Sequence, residues 1–183
     1  AANKEAFIIS GLIQLPNVIS ASRFVLSAAM ILTVSQQLWL LSGAVFLLAV
    51  ASDLLDGELA RRRDQVTTIG GLIDHAADAT FVTVTITCLA LQQERSLLLP
   101  MLIILAFTQY VIDSRAHRGQ RLIASRLGRY NGIGYFLFAG ALLLDEVVTP
   151  SPIWGIALML TYWALFTTTL LSIFDRALAQ RQS

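Results

Sequence analysis

Long apolar runs separated by short polar breaks dominate this chain, and their lengths predict helices that cross a membrane. A spanning helix needs about 20 predominantly apolar residues. No charge occurs between Phe24 and Ser52, yet that run is too short for two spans, and Ser35, Gln36 and Gln37 interrupt it as a turn would. The first span is therefore expected at 16–35, reaching back past Arg23, and the second at 38–60, running forward past Asp53 and Asp56. A third is expected at 70–91 with Asp74 and Asp78 inside it, and a fourth at 96–112. The fifth, at 124–144, takes in Arg126 and Arg129 because the uncharged stretch from Tyr130 to Leu144 is short, and the sixth lies at 152–174. Residues 1–15 read as a short amphipathic helix along the interface, with Pro16 breaking the chain before the first span. The expected fold class is an all-α integral membrane protein, one membrane-embedded domain over 1–183 with six transmembrane helices preceded by that interfacial helix.

Composition agrees. Apolar residues make up 56% of the chain and charged residues 14%, against about 25% charged in a soluble domain. The net charge of +1 argues against a nucleic-acid partner. Cys88, the one cysteine, sits in an apolar run and reads as core filler. The N-terminal residues lack the basic, apolar and small-residue order of a secretory leader. Placing both termini on one side puts all lysines and arginines except Arg95 there, and the acidic turn Asp145–Glu146 opposite. The excess of positive charge on cytoplasmic loops then puts the termini, and every intramembrane carboxylate, on the cytoplasmic side of the cytoplasmic membrane.

Those carboxylates are the candidate chemistry, because charge inside a membrane is expensive and functional by default. Asp53 and Asp56 are three residues apart on one helix and Asp74 and Asp78 four apart on the next, so each pair shares a face. A short connection brings the two ends together. Four converging anions call for hard divalent cations, Mg2+ or Mn2+, and the charge suits two. Gly57 and Gly70 would open a groove beside them for a ligand to approach the backbone. Arg61 is placed to meet an anion, and the combination suits a pyrophosphate. Structural pairing of an aspartate with Arg23 is the competing reading for any one of them taken alone.

The string Asp53-x-x-Asp56-Gly57-x-x-Ala60-Arg61, then Gly70-x-x-x-Asp74-x-x-x-Asp78, resembles the signature of the CDP-alcohol phosphotransferases at each defined position. The resemblance implies that Asp53, Asp56, Asp74 and Asp78 hold a pair of metals, and that Asp78 is the general base on an acceptor hydroxyl. It also implies that Gly57, Ala60, Arg61 and Gly70 accommodate the CDP portion. Pro16-Asn17-Val18-Ile19-Ser20-Ala21-Ser22-Arg23 is similar to the opening of the first span in many members, and points to Asn17 and Arg23 as contacts for nucleotide or phosphate. The implied reaction moves a phosphatidyl or other substituted phosphoryl group from a CDP-alcohol such as CDP-diacylglycerol to a small hydroxyl acceptor, releasing CMP.

The acceptor is less legible. Arg115, His117, Arg118, Arg121, Arg126 and Arg129 cluster around the start of the fifth span. If Arg118, Arg126 and Arg129 point inward, they favour a phosphorylated polyol such as glycerol 3-phosphate. Ala124 to Arg129 is similar to the corresponding stretch of phosphatidylglycerophosphate synthases but continues Tyr130-Asn131-Gly132 where those have Lys and Thr, so inositol, inositol phosphate, serine and choline stay open. An intramembrane prenyltransferase would place its aspartates on well-separated helices, and a divalent-cation transporter would place them near the midplane. Gly132, Gly134 and Gly140 could form the seam of a homodimer.

Overall fold

The structure is a computed structural model that describes residues 15–62, 68–113, 125–148 and 151–181. The regular elements among these residues are helices: α1 (Leu15–Ser35), α2 (Trp39–Arg62), α3 (Thr68–Gln92), α4 (Leu98–Asp113), α5 (Arg126–Val147) and α6 (Pro152–Arg181). Four contain apolar stretches long enough to cross a membrane, at Asn17–Ser35, Trp39–Gly57, Gly70–Gln92 and Pro152–Leu178, while α4 is apolar but shorter. The interfacial helix expected over 1–15 falls outside the described residues but for Leu15, which begins α1. Pro16 sits in the first turn of α1. A first turn has no intrahelical acceptor for its N–H groups, so proline costs nothing there.

The exterior is far more apolar than that of a water-soluble domain. Leu40, Ile153 and Leu137 face outward, Leu40 with 82% of its surface exposed, while Ser20, Arg23, Asp56, Thr85 and Thr169 are buried. An apolar exterior, with polar groups kept inside beside the apolar core, suits a hydrocarbon solvent. Most of the serine and threonine hydroxyls settle on their own helix: Thr85 donates to the Phe81 carbonyl at 2.8 Å, Thr87 to Thr83 at 2.7 Å and Thr168 to Ala164 at 2.8 Å.

Helix α1 packs along both α2 and α3, α3 also meets α4 and α5, and α6 closes the other side against α4 and α5. The buried stripe of α1 is Asn17, Ser20, Arg23, Ser27, Met30 and Val34, spaced at helical period. Its polar members lie at the start of the helix and its apolar members deeper. Phe46, Phe81 and Phe136 form an aromatic triangle joining α2, α3 and α5, with centroids 6.1 to 6.3 Å apart. The break expected at residues 35–37 is a turn that ends α1 in a Schellman motif: Gln37 is left-handed at φ 56°, Gln37 N–H bonds Val34 at 2.9 Å, and Leu38 N–H bonds Thr33 at 2.9 Å.

Two expectations are corrected. Asp145 and Glu146 do not form a turn; α5 continues through them to Val147. Acidic groups at a helix C-terminus oppose its dipole, but here Arg95 reaches Asp145 at 2.8 Å and Gln93 donates to Glu146 at 2.8 Å. The glycines of α5 do not line an outer seam either. A side chain at Gly134 would meet Leu165 of α6 at 2.7 Å, one at Gly140 would meet Phe46 of α2 at 3.2 Å, and Gly132 borders an internal cavity. The missing side chains at Gly134 and Gly140 let α5 approach its neighbours within the chain.

Candidate active site

The residues past Ser52 on α2 and before Phe81 on α3 carry the carboxylates, and α1 lies between those two helices. Helical spacing turns Asp53 and Asp56 from α2, and Asp74 and Asp78 from α3, toward the same point, and the point is Arg23. Its Nη1 donates to Asp53 Oδ1 at 2.9 Å and to Asp78 Oδ1, and its Nη2 donates to Asp56 Oδ2 at 2.6 Å and to Asp74 Oδ1. Ser20 Oγ, one turn earlier on α1, donates to Asp56 Oδ2 at 2.6 Å. The four aspartates are thus brought together, and Arg23 lies among them with none of its side chain exposed. Arg23 and Asp56 are shielded from solvent, which strengthens their pairing, while Asp53, Asp74 and Asp78 stay partly exposed. Among the described residues, four carboxylates face one guanidinium, a formal excess of three negative charges.

The donor set fits a divalent cation. Asp53, Asp56 and Asp74 offer oxygens within 4.8 Å of one another, and Asp74, His75 and Asp78 make a second such group. Oxygen-rich sets of this kind suit Mg2+ or Mn2+. His75 was not singled out in the sequence because it lies beside Asp74 and off the i, i+4 face. In the fold its Nδ1 stands 3.5 Å from Asp74 Oδ2 and its ring 5.9 Å from that of Tyr110.

Beside the carboxylates opens a cavity of about 770 Å³ between α2, α3, α4, α5 and α6. Phe46, Leu47, Val50, Val82 and Phe136 give it an apolar interior, while Asp53, His75, Asp78, Arg129 and Arg176 give it a charged end. This combination of apolar walls and a few convergent polar groups is typical of a ligand site. Ser125 caps α5 by accepting the Gly128 N–H at 3.0 Å, which fixes the first turn that carries Arg129. Arg176 of α6 stacks over Tyr110 of α4 at 4.7 Å. It was counted in the sequence only as an inside-facing charge, and the helix pattern was expected to end before it. Thr169 borders the cavity and shares a 2.6 Å hydrogen bond with Tyr135.

Of the other candidate residues, Asn17 is buried near the start of α1, Gly70 is buried one turn before Asp74, and Gly57 is half-buried directly after Asp56. Ala60 and Arg61 lie on the last turns of α2, but their side chains are outside the described set. Of the three arginines expected at an acceptor phosphate, Arg129 lines the cavity, Arg126 is exposed and does not line it, and Arg118 falls outside the described residues along with Arg115, His117 and Arg121.

Two comparisons bear on this arrangement. The family model described as CDP-alcohol phosphatidyltransferase matches residues 13–173. No curated protein matches the chain.

Proposed function

From the premise that this chain belongs to the CDP-alcohol phosphatidyltransferase family, we propose that it transfers a phosphatidyl group from CDP-diacylglycerol to the hydroxyl of a phosphorylated polyol such as glycerol 3-phosphate, releasing CMP. Family membership makes it a transferase of lipid biosynthesis and, with its long apolar helices, an integral membrane protein, which sets aside the prenyltransferase and transporter readings. The observation that carries the proposal is the convergence of Asp53, Asp56, Asp74 and Asp78, two of which, Asp53 and Asp78, line a cavity large enough for a polyol phosphate.

In this reading the four aspartates hold two Mg2+ or Mn2+ ions. When bound, these ions neutralise the diphosphate and stabilise charge developing on the leaving group. Asp78, on the cavity wall, takes the proton of the acceptor hydroxyl. The hydroxyl oxygen then attacks the phosphorus bearing diacylglycerol, and the bond to CMP breaks. Asn17, Arg23, Gly57, Ala60, Arg61 and Gly70 accommodate the CDP portion. Arg129 lines the cavity together with Arg176. Guanidinium groups there would bind an acceptor phosphate with planar, bidentate geometry and hold the hydroxyl near Asp78.

The proposed topology is six spans in one domain with termini and site on the cytoplasmic side. It is supported by the separation of Asp145 and Arg95 at one end of the bundle from the aspartate cluster at the other. The test supplies purified protein with CDP-diacylglycerol and Mg2+ and measures CMP release across glycerol 3-phosphate, inositol, inositol phosphate, serine and choline. Release only with the phosphorylated acceptors is expected. Equal rates with neutral alcohols would remove the role given to Arg129 and Arg176, and CMP release with none would remove the function.

A further inference from the structure

We infer that Arg23 is a built-in stand-in for metal: it holds the four carboxylates together while the site is metal-free and must withdraw before a divalent cation can bind. This rests on the metal-binding reading of the site given above, and it goes beyond a simple CDP-contact role for Arg23.

Three features point to it. The first is the choice of oxygens. Arg23 engages one oxygen from each of the four aspartates, two through Nη1 and two through Nη2. Asp53, Asp56 and Asp74 are also the residues whose oxygens cluster within 4.8 Å, as do Asp78 and Asp74 with His75. A guanidinium among them and a cation bound by them compete for one space.

The second is burial. A fully buried arginine normally satisfies its whole donor fork, yet Arg23 Nε has no hydrogen-bond partner. The carboxylates hold only the two terminal nitrogens, so this position does not complete the side chain's own bonding. It is a position set by the surrounding negative charge.

The third is the charge balance. Among the described residues, one guanidinium faces four carboxylates, a formal excess of three negative charges. Arg23 therefore prevents the carboxylates from repelling one another apart without saturating them, and the site keeps its attraction for divalent cations.

Arg23 is on this account a positioning residue with a cost. A site that is free to bind only a tenth of the time shows an affinity about tenfold weaker than its intrinsic one. Removing the guanidinium should therefore tighten metal binding, which no purely structural role predicts.

The test uses full-length protein in detergent, purified in the presence of Mg2+ and then stripped with chelator. Mn2+ is titrated and followed by its electron paramagnetic resonance signal, and thermal unfolding is recorded with EDTA and with excess Mn2+. Arg23→Met should bind Mn2+ about tenfold or more tightly than the parent. With EDTA its Tm should fall by about 5 °C or more, because four carboxylates then face one another unpaired, and the difference should close when Mn2+ is added. Arg23→Lys, whose single ammonium cannot reach both pairs, should fall between the two on both measures and guards against misfolding of the methionine variant. Mn2+ affinity in both variants equal to or weaker than the parent's would overturn the inference, as would a Tm deficit that Mn2+ leaves unchanged. Absence of Mn2+ binding by all three proteins would overturn the metal-binding reading of the site and this inference with it.

Discussion

At one end of the bundle Arg95 meets Asp145 at 2.8 Å on a partly exposed surface, and Gln93 completes Glu146. At the other end Arg23, fully buried, meets four aspartates at once. Both ends bring arginine to carboxylate, but among the described residues the first pairs one guanidinium with one carboxylate and the second sets one guanidinium against four. A balanced pair in contact with solvent has little left to bind and adds little stability. A cluster of carboxylates gathered around a buried guanidinium is costly to assemble, and its persistence asks for a ligand. The neighbouring ridge of Phe46, Phe81 and Phe136 lets the fold bear that cost, because it locks together the two carboxylate helices and the cavity helix α5.

The largest effect should come from the four-aspartate end. Asp78→Asn keeps the shape of the side chain but cannot take a proton, so CMP release should drop by about 100- to 10,000-fold while the protein still purifies as a folded species. Substantial turnover in that variant would remove Asp78 from its role as base. Next comes the ridge. Phe81 has no exposed surface, so Phe81→Ala should cost about 3–5 kcal/mol, read as a lowered unfolding midpoint. Should the midpoint hardly move, the aromatic triangle is not what braces the carboxylate end. The smallest effect belongs to the one-to-one pair. Arg95→Gln should change stability by about 1 kcal/mol or less and leave CMP release intact; a large loss of activity there would abolish the contrast between the two ends.

The sequence spoke loudest where one helix decides the outcome. Spacing of three between Asp53 and Asp56, and of four between Asp74 and Asp78, places each pair on one face whatever the rest of the chain does, and the polar break at Gln36–Gln37 had to interrupt a run too long for one span. His75, Arg176 and Thr169 were not legible as cavity residues, because nothing local says which side of a helix meets an empty space. Arg176 was masked further by lying past the apolar run of α6, where a basic residue looks like any inside-facing charge. The acidic pair at 145–146 misled for the opposite reason: local rules end a helix there, and only Arg95 and Gln93, arriving from another turn, let it continue.

The sequence by itself therefore determined that apolar helices would form, where most of them turn and that four carboxylates would sit near one face. These follow from hydrophobic length and helical period, which act over a few residues. Only the tertiary structure decided that α1 would be the helix inserted between the two carboxylate helices. That packing put Arg23 at the centre of all four aspartates, because the partner of a buried charge is chosen by which helices pack together, and that choice is made between residues far apart in the chain.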